Sequence, residues 1–202
     1  MKPAEYYYTI DKTASEEFKD RGSRFIAYAY PVENADAFKK YLQELKKIHP
    51  KAVHHCFAYR LGLSTDNFRV SDDGEPSGSA GRPILGQIDS RNLTNTTIIV
   101  VRYFGGTLLG VPGLINAYKT AAALVLQTIP VIQKPIEVTY SIQFDYTQVN
   151  AIMQVLKQAN CTIIKQDLQL FSNIVAGVPG NRLEEVLHKL KSLRNVEMNK
   201  IF

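Results

Sequence analysis

The chain is 202 residues long, with 45% hydrophobic and 21% charged residues and a formal net charge of +5. That composition excludes a disordered, collagen-like or disulfide-scaffold protein and is enough for one large core or two modest ones. No run approaches the roughly 18 uninterrupted apolar residues of a membrane span, and residues 1–10 lack the apolar stretch of a signal peptide, so a cytoplasmic protein without a membrane partner is expected. Cys56 and Cys161 stand far apart without a CxxC pair, which leaves no framework for disulfides or a zinc ribbon. The mild excess of Lys and Arg favours a polyanionic partner without requiring one.

In chain order, a polar, Tyr-containing arm precedes a strand over Ser23–Tyr30. A helix follows, with Ala35, Phe38, Leu42, Leu45 and Ile48 facing inward until Pro50 ends it. Val53–Leu61, Phe68–Ser71 and Thr96–Tyr103 read as strands, and Leu114–Gln127 as an Ala-rich helix. This first half is read as α+β with a helix-covered mixed sheet. Pro130 and Pro135 bracket a break in the helical pattern, which places a domain boundary between residues 130 and 131.

The second half changes period in a readable order. Ile136, Val138, Tyr140, Ile142 and Phe144 alternate as a strand does, then Val149, Ile152, Met153, Leu156 and Ala159 share one helical face. Strands over Cys161–Gln166 and Leu168–Val175 follow, then a helix carrying Leu183, Val186, Leu187, Leu190 and Leu193 on one side. Asn181 is its expected N-cap, with Glu184 three residues on. A last strand lies within 195–202. The order β-α-β-β-α-β is that of a ferredoxin-like sandwich over 131–202.

Two loops could carry chemistry. Ser71-Asp72-Asp73-Gly74-Glu75-Pro76-Ser77-Gly78-Ser79-Ala80-Gly81 crowds three carboxylates into four residues. It reads as a turn, as an acidic partner-contact loop or as a hard-cation site, although the spacing fits no EF-hand and no metal is assigned. Repulsion among Asp72, Asp73 and Glu75 calls for compensation by a cation, nearby arginines or backbone amides, and internal pairing with Arg24 or Arg60 is expected. The second loop, Arg102-Tyr103-Phe104-Gly105-Gly106-Thr107, leaves a buried strand and leads into a helix. It matches neither a P-loop nor a dinucleotide fingerprint, so no cofactor is expected. A guanidinium beside two aromatic rings could contact phosphate and stack on an unpaired base, and the competing reading makes Tyr103 and Phe104 core residues with glycines permitting a tight crossing. His54 and His55 fall on opposite faces of one strand and cannot share a metal. Ser77 and Ser79 lack a nucleophile elbow, so no complete catalytic set is visible.

These segments, together with Ser23-Arg24-Phe25-Ile26-Ala27 and His54 through Arg60, stand in the order and spacing of the IMPACT family, and the chain resembles its short bacterial members of the YigZ type. The resemblance implies a first domain similar to the second domain of ribosomal small-subunit protein five, and a second domain resembling those of elongation factor G. The eukaryotic family members carry a further N-terminal module that binds a signalling scaffold, which this resemblance does not extend to. Where the family reads Leu-Gly-x-Gly-Gly-Leu-x-Arg-Ala-Tyr, this chain has Pro112 in place of a Gly and Asn116 in place of Arg, a stiffer segment with one charge fewer. The expected function is translation-associated regulation through RNA or a ribosome-associated protein. The alternatives are an enzyme acting on a phosphorylated small molecule, with a cleft joining His54, Asp72, Asp73, Glu75 and Arg102, and a protein-interaction module.

Overall fold

The structure is a computed structural model that describes residues 5–201. The described chain divides into two compact units, Tyr7–Lys134 and a second unit formed by residues 135–201 with residues 5 and 6.

The first unit is built on five strands: β2 (Ala14–Asp20), β3 (Ser23–Pro31), β4 (His54–Arg60), β5 (Phe68–Ser71) and β6 (Thr96–Tyr103), in the order β2-β3-β6-β4-β5. Two short strands, β1 (Tyr6–Thr9) and β7 (Ile132–Pro135), pair separately. Every neighbouring pair of the five-stranded sheet is antiparallel, which corrects the expectation of a mixed sheet. β3 and β4 do run the same way, but β6 comes between them and opposes both.

Helices cover both faces. On one, α1 (Ala35–Ile48) packs Phe38 and Leu45 against Phe57, Tyr59 and Ile99. On the other, α2 (Gly81–Ser90) and α3 (Gly110–Gln127) pack against Phe25, Ala27, Cys56, Ala58, Ile98 and Val100. The two sets alternate along each strand, as the pleat requires. Asn34 starts α1 by accepting hydrogen bonds from the amides of Asp36 and Ala37 at 3.1 and 2.9 Å, the usual N-cap role. Ile48 was expected inward but is 58% exposed, because the stripe that runs through Leu45 continues to His49, half-buried at the helix end.

β1, β2, α2 and β7 are not expected from the sequence, which reads the β7 segment as the connection between the domains. β2 is a polar edge strand, half-buried at alternate residues, and α2 carries Gly81, Pro83 and Gly86 in ten residues. α3 begins at Gly110, four residues before the expected Leu114, so Pro112 lies in its first turn rather than in a loop. A proline costs no hydrogen bond there.

The second unit has β8 (Glu137–Asp145), α4 (Val149–Gln158), β9 (Thr162–Asp167), β10 (Phe171–Pro179), α5 (Leu183–Lys191) and β11 (Val196–Lys200), with an antiparallel sheet ordered β11-β8-β10-β9. Ile152 and Leu156 of α4 and Val186 and Leu190 of α5 join Ile142, Phe144, Ile174, Ala176 and Val178 in its core. Asn181 does not cap α5. It sits inside a 3₁₀ turn over Gly180–Arg182 that leads into the helix, and its side chain donates to the Tyr6 hydroxyl at 2.9 Å. The chain is thus an α+β protein of two units with antiparallel sheets. Among the described residues no helix is long and apolar enough to cross a membrane.

Candidate functional site

Strand alternation decides which predicted residues meet. Ser23 and Phe25 of β3, His54 and Cys56 of β4 and Arg102 of β6 face the α2/α3 side, and the Ser71–Gly81 loop folds over the same end of the sheet. There Glu75, its side chain 4% exposed, accepts a 2.5 Å hydrogen bond from Arg102 Nη1 and a 2.8 Å bond from the Tyr118 hydroxyl on α3, both at Oε1. Arg102 also reaches Ser23 Oγ at 3.4 Å and lies between the rings of Phe25 and Phe104, 5.3 and 5.7 Å from their centroids. Cys56 donates to the Tyr118 hydroxyl, and burial pushes the Cys56 thiol and the Tyr118 phenol far up, so both stay protonated.

Each of the three acidic side chains has its own partners. Asp72 accepts from the amides of Gly78, Ala80 and Gly81 at 2.8, 3.0 and 2.8 Å, capping α2 from nine residues upstream. Burial opposes its ionisation, yet the three amides outweigh burial and hold its carboxyl below the usual range. A folded value lowered in this way adds stability above the unfolded value, and the contribution is lost as pH falls through the folded one. Asp73 accepts from the His55 amide at 2.6 Å and carries a left-handed backbone, φ 42°. The expected partners Arg24 and Arg60 are engaged elsewhere, with Glu17 at 2.6 Å and Asp89 at 2.7 Å. Compensation is internal, but it comes from backbone amides and Arg102. Among the described residues no three His, Cys, Asp or Glu side chains are arranged to hold a metal ion.

A cavity of about 400 Å³ opens above the Glu75–Arg102 pair, bounded by Val53, His54, Phe104, Leu108, Val111 and Leu114 among others. Its rim is apolar and exposed: Leu108 is 83% exposed, Val53 55%, Phe104 48% and Val111 46%. His54 Nδ1 lies 2.7 Å from the Asp73 carbonyl oxygen, which can only accept, so Nδ1 carries the proton. Nε2 lies in the cavity wall, 3.8 Å from Glu75 Oε1.

Tyr103 points the other way. Adjacent residues of a strand occupy opposite faces, so the expected grouping of Arg102 with Tyr103 does not form, and Arg102, only 5% exposed and bonded to Glu75, is no open phosphate contact. Tyr103 instead lies beneath the Arg24 guanidinium, 5.5 Å from ring centroid to Cζ. Its hydroxyl is 2.9 Å from His49 Nδ1, and His49 Nε2 is 2.7 Å from the Tyr28 hydroxyl. Burial, then the Arg24 charge, lowers the His49 pKa. Sequence reasoning missed Tyr28 and His49. The alternation Arg24, Ile26, Tyr28, Tyr30 was the available signal for the first, whereas nothing local marks the second.

Gly105 and Gly106 differ in role. A Cβ on Gly105 would stand 1.9 Å from the Gly22 carbonyl carbon and 2.1 Å from the Ser23 nitrogen, whereas Gly106, at φ 86°, has nothing within 4 Å. Gly105 is the tight crossing and Gly106 supplies a left-handed turn.

The family model of the Impact N-terminal domain matches residues 21–126. The chain is 35% identical over 180 residues to the IMPACT family member YigZ of Escherichia coli, covering 88% of this chain and 87% of that relative. A crystal structure of a hypothetical protein superposes with a TM-score of 0.79 at 29% identity, covering 99% of both chains. The two-domain translational regulator Yih1 is 27% identical and covers 64% of this chain and 49% of its own, with a TM-score of 0.36. With the N-terminal domain matched over half the chain and the YigZ relative matched nearly end to end, this protein belongs to the IMPACT family.

Proposed function

We propose that this IMPACT family member is a cytoplasmic, translation-associated regulatory protein that acts by binding the translation machinery, and that the rim of the cavity is its contact with a protein component of that machinery. One observation carries the reading: Val53, Phe104, Leu108 and Val111 are exposed around a single cavity. A contiguous exposed apolar patch is what a monomer avoids unless a partner covers it. An RNA phosphate at this place would need a free cation, and the Arg102 guanidinium is held by Glu75. The implied likeness of the two domains to ribosomal protein five and elongation factor G fits the same reading as analogy.

The experiment is co-sedimentation with ribosomes. Leu108→Asp is expected to weaken retention about tenfold or more, as removal of an exposed anchor does, with urea unfolding unchanged because Leu108 is 83% exposed. Undiminished retention of that variant removes the rim from the interface. A second reading, an enzyme acting on a phosphorylated small molecule in the same cavity, draws on His54, whose Nε2 lies in the cavity wall. Among the described residues lining the cavity, the one guanidinium is that of Arg102, and Glu75 holds it.

A further inference from the structure

On the α1 side of the first unit's sheet, rings follow one another without a break. Tyr41 of α1 stacks on Tyr30 at 4.1 Å and 13°, Tyr30 on Tyr28 at 6.3 Å and 8°, and Tyr28 meets His49 at 5.6 Å. His49 meets Tyr103 at 5.9 Å, and the Arg24 guanidinium covers Tyr103. The hydroxyls of Tyr28 and Tyr103 are both tethered to His49, which fixes these rings before any partner arrives. All five residues are half-buried, and Tyr28, Tyr30 and Tyr41 also pack against the α1 core, so it is the part of each ring turned away from that core that stays open. The strip of sheet beside them is not covered by α1: Ser15, Glu17 and Lys19 of β2, opposite Tyr28, Ile26 and Arg24, are exposed.

The charges nearby complete the pattern. Arg24 and Lys19 both reach Glu17, at 2.6 and 3.2 Å, which leaves positive charge in excess at that end. Lys46 and Lys47 lie in the last turn of α1 beside His49, with Lys51 two residues beyond it, and Glu44 is the acid that faces Tyr30. Preset aromatic rings bordered by a surplus of cations suit a strand of unpaired bases joined by phosphates. A duplex hides its base faces and gains only the charges.

We propose that Tyr41, Tyr30, Tyr28, His49 and Tyr103, with Arg24 at one end, form a binding face for single-stranded RNA. This face deepens the reading of a translation-associated protein but does not depend on the cavity rim, which lies on the opposite side of the sheet. The proposal and the rim therefore fail separately.

The test is fluorescence anisotropy of the full chain with a labelled single-stranded RNA of about 12 nucleotides and with the same strand annealed to its complement. The single strand is expected to bind more tightly than the duplex, and less tightly as salt rises. Tyr30→Leu should weaken binding about 5- to 150-fold, the range for losing one stacked base, while Tyr30→Phe, which keeps the ring, binds as wild type. Arg24→Gln, at an exposed residue, should lower the salt slope by about one ion. Equal binding of strand and duplex, unchanged binding by Tyr30→Leu, or an unaltered salt slope in Arg24→Gln overturns the proposal. So does ribosome retention that survives ribonuclease yet is lost in Tyr30→Leu, which would assign the face to a protein.

Discussion

Glu75→Leu is expected to destabilise the first unit by about 3–5 kcal/mol in urea unfolding, the cost of leaving one member of a buried ion pair without its partner. The side chains of Glu75 and Arg102 are 4% and 6% exposed, and Glu75 Oε1 also takes the Tyr118 hydroxyl. Removing the carboxylate therefore strands a guanidinium and a phenol together. The double variant Glu75→Leu/Arg102→Met should recover most of the loss, since a well-packed apolar pair often replaces a buried ion pair at little cost. Asp89→Asn provides the contrast. The Arg60–Asp89 pair lies at the surface, with Asp89 42% exposed, and such a pair contributes about 0–1 kcal/mol. Equal losses for Glu75→Leu and Asp89→Asn would mean that the floor of the cavity is wet and open, and that Arg102 is free to meet a phosphate.

Gly105→Ala is expected to cost about 3 kcal/mol or more, at or above the upper range for overpacking a core. The added methyl would meet the backbone of Gly22 and Ser23 at 1.9 to 2.2 Å, and backbone cannot rotate aside as a side chain can. The β2–β3 turn would have to separate from the end of β6, breaking the bond from the Gly105 amide to Ser23 Oγ. Gly106→Ala, strained only by its φ of 86° with open space around it, should cost about 1–2 kcal/mol. Urea unfolding of both variants checks the difference. Equal costs would assign both glycines to loop flexibility rather than to the crossing.

The alternating strands β3 and β8, the continuous apolar run of β6 and the one-sided helices α1, α4 and α5 were legible, because burial on one face imposes a period and burial on both faces a run. α2 was not, since its glycines and Pro83 lower helix propensity and its cap is a side chain nine residues away, Asp72. β2 was lost because an edge strand with one solvated face carries few apolar residues. The two loops stood out by composition, yet their pairing did not. Glu75 finds Arg102 27 residues away and Tyr118 43 residues away, and only the sheet order brings them together. Parity alone, however, separates Arg102 from Tyr103, just as it separates His54 from His55, and divides the predicted cluster between two faces.

Hydrogen–deuterium exchange of the full chain, with and without ribosomal subunits, tests the account most directly, because it reads the interface without a substitution. Exchange slows where a partner covers the backbone, so residues 104–115, which carry Phe104, Leu108 and Val111, are expected to gain protection when subunits are added. No protection in that segment, with protection confined to the second unit, would contradict the assignment of the cavity rim to the translation machinery.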